Sequence, residues 1–328
     1  MEKLLKKTLK LVLPIVLGGF ILFWVYRDFD FAKVGDVLMH GTNWWWMLFS
    51  LLFGVLAQVF RGWRWRQTLE PLDAFPKRSD CVNAIFVSYA ASLVIPRIGE
   101  VSRCGILAKY DNVSFAKSLG TVVTERLVDT LTILLITGVT VLLQMPVFVT
   151  FLQQTGTKIP SLLHLLTSVW FYIVLFCFIG VGVLLYYLRK TLFFYEKVKG
   201  FVLNIWEGIM SLKGVRNIPL FIFYTLAIWA CYFFHFYFTF YCFAFTAHLD
   251  MMAALVMFVV GTFAVIVPTP NGAGPWHFAI ISMMMFYGVN EVDAGVFALI
   301  VHGIQTLLVV LLGIYGFAAL PFANRHRE

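Results

Sequence analysis

Long, continuous runs of apolar residues dominate the hydrophobic pattern of this chain. Each run approaches or exceeds the roughly 20 residues with which a helix crosses a ~30 Å hydrocarbon core. A spanning β-barrel would instead show short segments of alternating hydrophobicity. The pattern therefore predicts six full transmembrane helices, at about residues 9–26, 44–60, 114–143, 162–188, 219–245 and 294–320.

Two further apolar segments are interrupted by proline and glycine. The first begins at Cys81, stops at Pro96 and resumes as a short segment to Tyr110. The second covers residues 251–267, breaks in the stretch VPTPNGAGPW, and resumes to Tyr287. Because proline cannot continue a helix and glycine weakens one, each segment predicts a re-entrant hairpin of two short helices. The alternative is an ordinary kinked pair of spans, which gives eight helical spans and no site.

The two interrupted segments occupy equivalent places in the chain, since each lies between two full spans. One hairpin enters from the cytoplasm and the other from outside, so the halves at about 44–143 and 219–320 form a predicted inverted repeat. Residues 191–213 show helical amphipathic periodicity and predict an interfacial helix that joins the halves. The predicted fold class is all-α: one polytopic integral membrane domain over residues 1–328, with about six full spans and two opposed hairpins.

Composition supports a membrane protein, with 61% hydrophobic and only 13% charged residues. The formal charge of +8 comes from lysines and arginines in short polar loops, which predict orientation and not nucleic-acid binding. By the same reasoning, Arg61 and Arg64 mark the inner membrane interface at the end of the predicted span at 44–60. Both termini are predicted to be cytoplasmic, in a bacterial inner membrane. The five cysteines lack CxxC spacing, so we expect core cysteines and no metal site or cofactor.

The first interruption carries charges at a spacing that suggests a binding site. Arg97, Glu100 and Arg103 are three residues apart, so on a helix both arginines can reach the glutamate. Charges in a membrane are costly and need compensation. Two cations with one anion leave a positive site beside a helix N-terminus, which suits a phosphate or another anionic headgroup. The alternative is a cytoplasmic loop with ordinary surface arginines.

Further candidate residues lie on the predicted span at 114–143 and in the second interruption. Glu125 and Asp129 share a helix face and Arg126 can pair with Asp129, so this cluster can carry protons, pair with the hairpin arginines, or serve as a structural ion pair. In the second interruption the expected features are an anion-binding nest and a histidine that either titrates and binds substrate or is a satisfied structural residue. These residues are Asn271, Gly272, Gly274 and His277.

Three motifs carry a resemblance to a known family: PRIGEVSR at residues 96–103, TERLVD at 124–129 and PTPNGAG at 268–274. The chain resembles the flippase-like transmembrane region of lysylphosphatidylglycerol synthases, as a stand-alone member without the aminoacyl-transfer domain. One departure is that His277 stands where the family pattern has an acidic residue. The resemblance implies translocation of a lipid between leaflets, and it covers nearly the whole chain.

The leading functional hypothesis is a flippase for an anionic, phosphate-containing lipid headgroup. The expected partners are membrane lipids, either an anionic phospholipid or a polyprenyl-phosphate lipid, and no nucleic acid. No nucleophile–base arrangement or phosphate-binding P-loop appears in the sequence, so an enzyme is not expected. Two alternatives stay open: an integral membrane transferase acting on a polyprenyl-phosphate carrier, with Glu100 or Glu125 as base, and a proton-coupled carrier of small solutes.

Overall fold

The computed structural model describes residues 15–27, 29, 31–154 and 210–325. Within these ranges the chain is helical, and its β-structure is limited to an isolated bridge between Thr42 and Phe243. The predicted all-α class is thus confirmed. The helices are α1 Ile15–Tyr26, α2 Phe31–Asp36, α3 Trp44–Leu69, α4 Arg78–Val94, α5 Ile98–Tyr110, α6 Phe115–Leu143, α7 Met145–Gln154, α8 Ile218–Tyr237, α9 Met251–Ala264, α10 Pro275–Phe286 and α11 Glu291–Ala323.

Four of the described helices are long and apolar enough to cross a membrane: α3, α6, α8 and α11, counted with the short turns that follow α3 and α8. They correspond to four of the six predicted spans. Helix α1 is a shorter apolar helix within the described residues. The span predicted at 162–188 lies outside the described residues, as does the amphipathic helix predicted at 191–213, apart from its last residues in a turn at Ser211–Gly214.

Two boundaries differ from the sequence-based expectation. Helix α3 does not end near residue 60 but continues to Leu69, and neighbouring helices bury Arg61 and Arg64 in its last turns. The segment between the predicted spans at 114–143 and 162–188 begins with a further helix, since residues Met145–Gln154 form α7. Pro146 is compatible with this helix because it lies in the first turn, where its missing N–H has no intrahelical role.

The first interrupted segment is a helical hairpin. Helices α4 and α5 are separated by the break at residues 95–97, and the Gly99 N–H donates to Ser92 Oγ across the turn at 3.2 Å. A Cβ at Gly99 would lie 2.0 Å from the Ser88 carbonyl oxygen, so only glycine allows this approach. Further along, Cys104 of α5 packs in the same buried cluster as Cys81 of α4. The two helices therefore run antiparallel in close contact.

The second interrupted segment is also two short helices in contact. Helix α9 ends at Ala264, a 3-10 turn covers Pro270–Gly272, and α10 begins at Pro275, a residue that suits the first helical position. Gly261 of α9 lies against Trp276 of α10. The predicted interruption of the helix by proline and glycine is confirmed in both segments.

Close packing of α4 against α11 joins the first interrupted segment to the long helix that follows the second. Gly313 of α11 lies against Ala90, and Gly316 lies against the Asn83 carbonyl oxygen. One buried cluster, which includes Phe240 and Phe297, forms around α8 to α11, and a second, which includes Trp65, lies under the first hairpin. The four described cysteines are free and buried, as expected for core cysteines: Cys81, Cys104, Cys231 and Cys242. This packing brings the two breaks side by side.

Candidate functional site

Both breaks line one cavity of about 240 Å³. Helix α6 supplies a further wall through Arg126, and an apolar edge is formed by residues 265–267. The polar side chains come from both hairpins and from α6; they are Ser88, Tyr89, Ser92, Arg97, Glu100, Arg103, Arg126, Thr269 and Asn271. The structure thus joins residues that the sequence placed in two separate motifs more than 150 positions apart.

A buried ion-pair network lies beside this cavity. Asp129 accepts from Arg61 Nη1 at 2.8 Å and from Arg64 Nη2 at 2.7 Å. Glu125 accepts from Arg103 Nη1 at 2.6 Å and from Arg64 Nη2 at 3.4 Å. All five side chains are less than one-tenth exposed. Three arginines and two carboxylates leave the network with one positive charge.

Helical spacing explains why these groups meet. Arg61 and Arg64 are three residues apart on α3, and Glu125 and Asp129 are four apart on α6, so each helix presents both charges on one face. Buried charges are tolerated only with close, hydrogen-bonded partners. Arg64 Nε and Arg103 Nη2 nevertheless have no hydrogen-bond partner among the described residues. Arg103 also lines the cavity, and its guanidinium carbon lies 4.6 Å from the centre of the Trp65 ring, so this side chain lies between the network and the cavity.

The pairing predicted within the first break does not form. Glu100 pairs with Arg126 Nε at 3.4 Å, and Arg103 pairs with Glu125. Arg97 lies outside the predicted stripe because it precedes α5 in a left-handed conformation, with φ of 66°, and is exposed. The predicted contact between Arg126 and Asp129 is present but long, at 3.8 Å. The better partner for Arg103 is a carboxylate on another helix, which local spacing cannot reveal.

Arg61 and Arg64 are the network residues that sequence reasoning missed. They were assigned to the inner interface because tryptophans flank them, whereas the structure buries both. A signal was present: a pair of arginines three apart on one apolar helix matches a pair of carboxylates four apart on another. Arg61 also donates through Nε to Tyr232 Oη at 3.3 Å, and Tyr232 shares a hydrogen bond with Tyr89 at 3.0 Å. The network thus reaches a side chain that lines the cavity.

The second break contributes uncharged groups. Asn271 has the left-handed conformation expected of a nest, but the Gly272 N–H donates to the Thr269 carbonyl oxygen and the Gly274 N–H donates to His277 Nδ1. These two amides are occupied within the turn, so the predicted anion-binding nest does not form there. The Thr269 hydroxyl, by contrast, is buried without a partner among the described residues and lines the cavity.

Gly274 and His277 lie away from the cavity. A Cβ at Gly274 would lie 2.9 Å from the Gly18 carbonyl oxygen, so this glycine lets α1 pack against the start of α10. His277 is 3% exposed, and its ring lies 4.5 Å from that of His302. In this position His277 caps α10 and packs in the core, in agreement with the structural alternative for this histidine.

The finished arrangement is a cavity with a positive wall and a neutral wall. Arginine guanidinium groups suit phosphate because they donate several hydrogen bonds in a fixed plane. A threonine hydroxyl on the opposite side can donate to a further phosphate oxygen. In the part of the chain that the structure describes, no group of three or more histidine, cysteine, aspartate or glutamate side chains is arranged to hold a metal. This combination of groups is chemically suited to an anion.

Comparison with protein families gives an independent assignment. The model of the family described as "Lysylphosphatidylglycerol synthase TM region" matches residues 11–313. The chain belongs to this family. Searches of curated proteins and of solved structures find no match. Membership of the lysylphosphatidylglycerol synthase transmembrane family, together with the long apolar helices, makes the chain a multi-pass membrane protein with a role connected to membrane lipids.

Proposed function

We propose that this protein moves an anionic, phosphate-containing lipid headgroup between the two leaflets without changing it chemically. The observation that carries the proposal is the cavity between the two breaks, where Arg97 is exposed and Arg103 has a guanidinium nitrogen without a partner among the described residues. A site with these groups is short of negative charge. A phosphate diester supplies that charge together with acceptor oxygens.

The contacts available to a phosphate can be named. Arg103 is held by Glu125 through Nη1, so its Nη2 is oriented before a ligand arrives. Arg97 is not tied to a carboxylate among the described residues and can move with the headgroup. Thr269 offers a hydroxyl from the other hairpin. Binding would therefore draw one group from each break onto the same phosphate.

The rim of the cavity suits the remainder of a lipid. Val265 and Ile266 line the cavity and are 47% and 62% exposed. On the other hairpin, Val94 and Ile95 are also exposed, at the end of α4. Apolar side chains at this edge favour contact with acyl or prenyl chains, which can stay in the bilayer while the headgroup occupies the polar cavity.

The proposal includes an orientation. Four lysines lie among the first ten residues, and Arg325 and Arg327 lie close to the end of the chain. Under the positive-inside rule both termini are then cytoplasmic, in the inner membrane of a bacterium. Labelling of single cysteines introduced at each end, in intact and in permeabilised cells, tests this orientation.

Transport in vesicles tests the function directly. The purified chain is reconstituted into vesicles that contain fluorescently labelled phosphatidylglycerol, and movement between leaflets is followed by chemical quenching from outside. Arg97→Asn removes the charge and keeps a residue that tolerates the left-handed conformation. We expect a loss of about tenfold or more in translocation rate, since hydrogen bonds to charged groups contribute about 1.5–3 kcal/mol.

The matched control is Arg78→Asn, which removes an exposed arginine outside the cavity and should leave the rate unchanged. Equal rates for wild type and Arg97→Asn would contradict the proposed site.

Mass spectrometry of the recovered lipid separates the remaining alternatives. A new lipid product would indicate a transferase. Solute transport that follows a proton gradient and ignores lipid composition would indicate a proton-coupled carrier.

A further inference from the structure

A second chamber adjoins the cationic cavity. It has a volume of about 210 Å³ and shares Tyr89, Val265 and Asn271 with the first cavity, so the two spaces are neighbours along these side chains. Its walls come from α3, α4, α8, α10 and α11 and from the second break. None of the described side chains that line it carries a carboxylate or a guanidinium group. The chamber is therefore polar but uncharged.

Two carboxamides in this chamber each have one atom without a hydrogen-bond partner among the described residues. Gln58 is 6% exposed and lines the chamber from α3, and its Oε1 is unpaired among the described residues. Gln305 lines it from α11, and its Nε2 is likewise buried without a partner. Buried polar groups are normally satisfied, and an unsatisfied one costs free energy. One free acceptor and one free donor in the same chamber indicate a ligand that both donates and accepts.

The histidines of the chamber add acceptor sites. His235 Nδ1 lies 2.8 Å from the Ser50 carbonyl oxygen, and His302 Nε2 lies 3.1 Å from that of Asn271. A carbonyl oxygen only accepts, so each ring donates through that nitrogen, and its second nitrogen in the neutral ring is an acceptor. Trp276 contributes an aromatic face to the same wall. Carboxamides, neutral imidazoles and an aromatic ring form a wall suited to hydroxyl groups.

We propose that this chamber binds the hydroxylated, uncharged part of the headgroup, so that the transported lipid is a phosphate ester of a polyol or a sugar. This inference rests on the proposed function, because the phosphate occupies the neighbouring cationic cavity. A hydroxyl group donates and accepts at once and so satisfies both Gln58 and Gln305. An ammonium group would find no carboxylate partner along this wall, which disfavours aminoacylated headgroups. The volume fits one small group, below the ~300 Å³ of typical drug-sized pockets.

Lipids matched in phosphate charge test the inference. The purified full chain is mixed with phosphatidylmethanol, phosphatidylglycerol or phosphatidylinositol that share the same acyl chains, and retained lipid is measured by native mass spectrometry. All three carry one phosphate diester charge, and only the last two carry free hydroxyls. We expect phosphatidylglycerol and phosphatidylinositol to bind about tenfold more tightly than phosphatidylmethanol, as expected when buried polar groups gain partners.

Two variants and a control locate the effect. Gln58→Leu and Gln305→Leu, each alone, should remove most of this preference and leave phosphatidylmethanol binding unchanged. Gln67→Leu is the control, since Gln67 lies on α3 with an unpaired Oε1 but outside both cavities. The inference would be overturned if wild type bound the three lipids equally, or if both glutamine variants kept the full preference for the two hydroxylated lipids. Either result would leave the proposed function standing. Retention of none of the three lipids would overturn the proposed function itself.

Discussion

The two breaks share a plan but are stabilised by different interactions. In the first, Arg103 enters a buried network of charges that joins α3, α5 and α6. In the second, backbone amides of Gly272 and Gly274 donate within the turn, and the side chains around them are neutral. The first break supplies charge, and the second supplies shape and neutral contacts. A phosphate between them would meet both kinds of group.

The same contrast bears on the predicted inverted repeat. In each half a long helix, two short helices and another long helix follow in order: α3 to α6 in the first and α8 to α11 in the second. The opposed orientation of the two hairpins in a membrane stays a prediction. The halves differ in chemistry: Arg97, Glu100 and Arg103 lie at the first break and in the start of α5, whereas residues 265–274 of the second break carry no charge.

The largest effect is expected from breaking the charge network. Asp129→Asn removes the carboxylate that pairs with both Arg61 and Arg64 and leaves them buried with too little negative charge. Loss of one partner from a buried ion pair costs about 3–5 kcal/mol, so thermal stability of the purified protein should fall sharply. Asp80→Asn is the control: Asp80 is also fully buried but accepts from the amide of Asn324. Equal losses of thermal stability in the two variants would show that the ion pairs of Asp129 matter no more for stability than the hydrogen bond of Asp80.

A smaller effect is expected from the backbone of the second break. Gly274→Ala places a Cβ at a residue with φ of 92°, within 2.9 Å of the Gly18 carbonyl oxygen. The left-handed conformation alone costs about 1–2 kcal/mol for a residue with a side chain, and the contact with α1 adds to this. Gly288→Ala is the control, since its φ is 86° and the space around it is open. If the two variants have the same melting temperature, the contact with α1 does not stabilise this break.

The smallest change in stability is expected at the pair that faces the cavity. Glu100 and Arg126 are 38% and 44% exposed, so Glu100→Gln should alter the free energy of unfolding by less than about 1 kcal/mol. The same substitution releases Arg126 toward the cavity and should strengthen binding of phosphatidylglycerol, measured by native mass spectrometry. Glu70→Gln, which breaks a comparable pair with Arg66 outside the cavity, should leave lipid binding unchanged. Weaker binding by Glu100→Gln would show that Glu100 itself contacts the ligand.

Local pattern predicted the helices better than the contacts between them. The lengths of apolar runs and the positions of Pro96 and Pro275 are local properties, and the helices and breaks follow them. The partner of Arg103 was not predictable in this way, because Glu125 lies on a different helix and the choice depends on how α5 packs on α6. The burial of Arg61 and Arg64 was missed for the same reason, since arginine beside tryptophan is typical of a membrane interface.

The third arginine of the network has an electrical consequence. Together with the exposed Arg97 it leaves the site with two positive charges in excess, because Glu100 and Arg126 offset each other. A bound phosphate diester therefore lowers the net charge of the site without neutralising it. A potential of 100 mV acts on a full elementary charge with about 2.3 kcal/mol. In the proposed cycle the membrane voltage therefore acts more strongly on the return of the empty carrier, which has the larger positive charge, than on the step that carries the lipid.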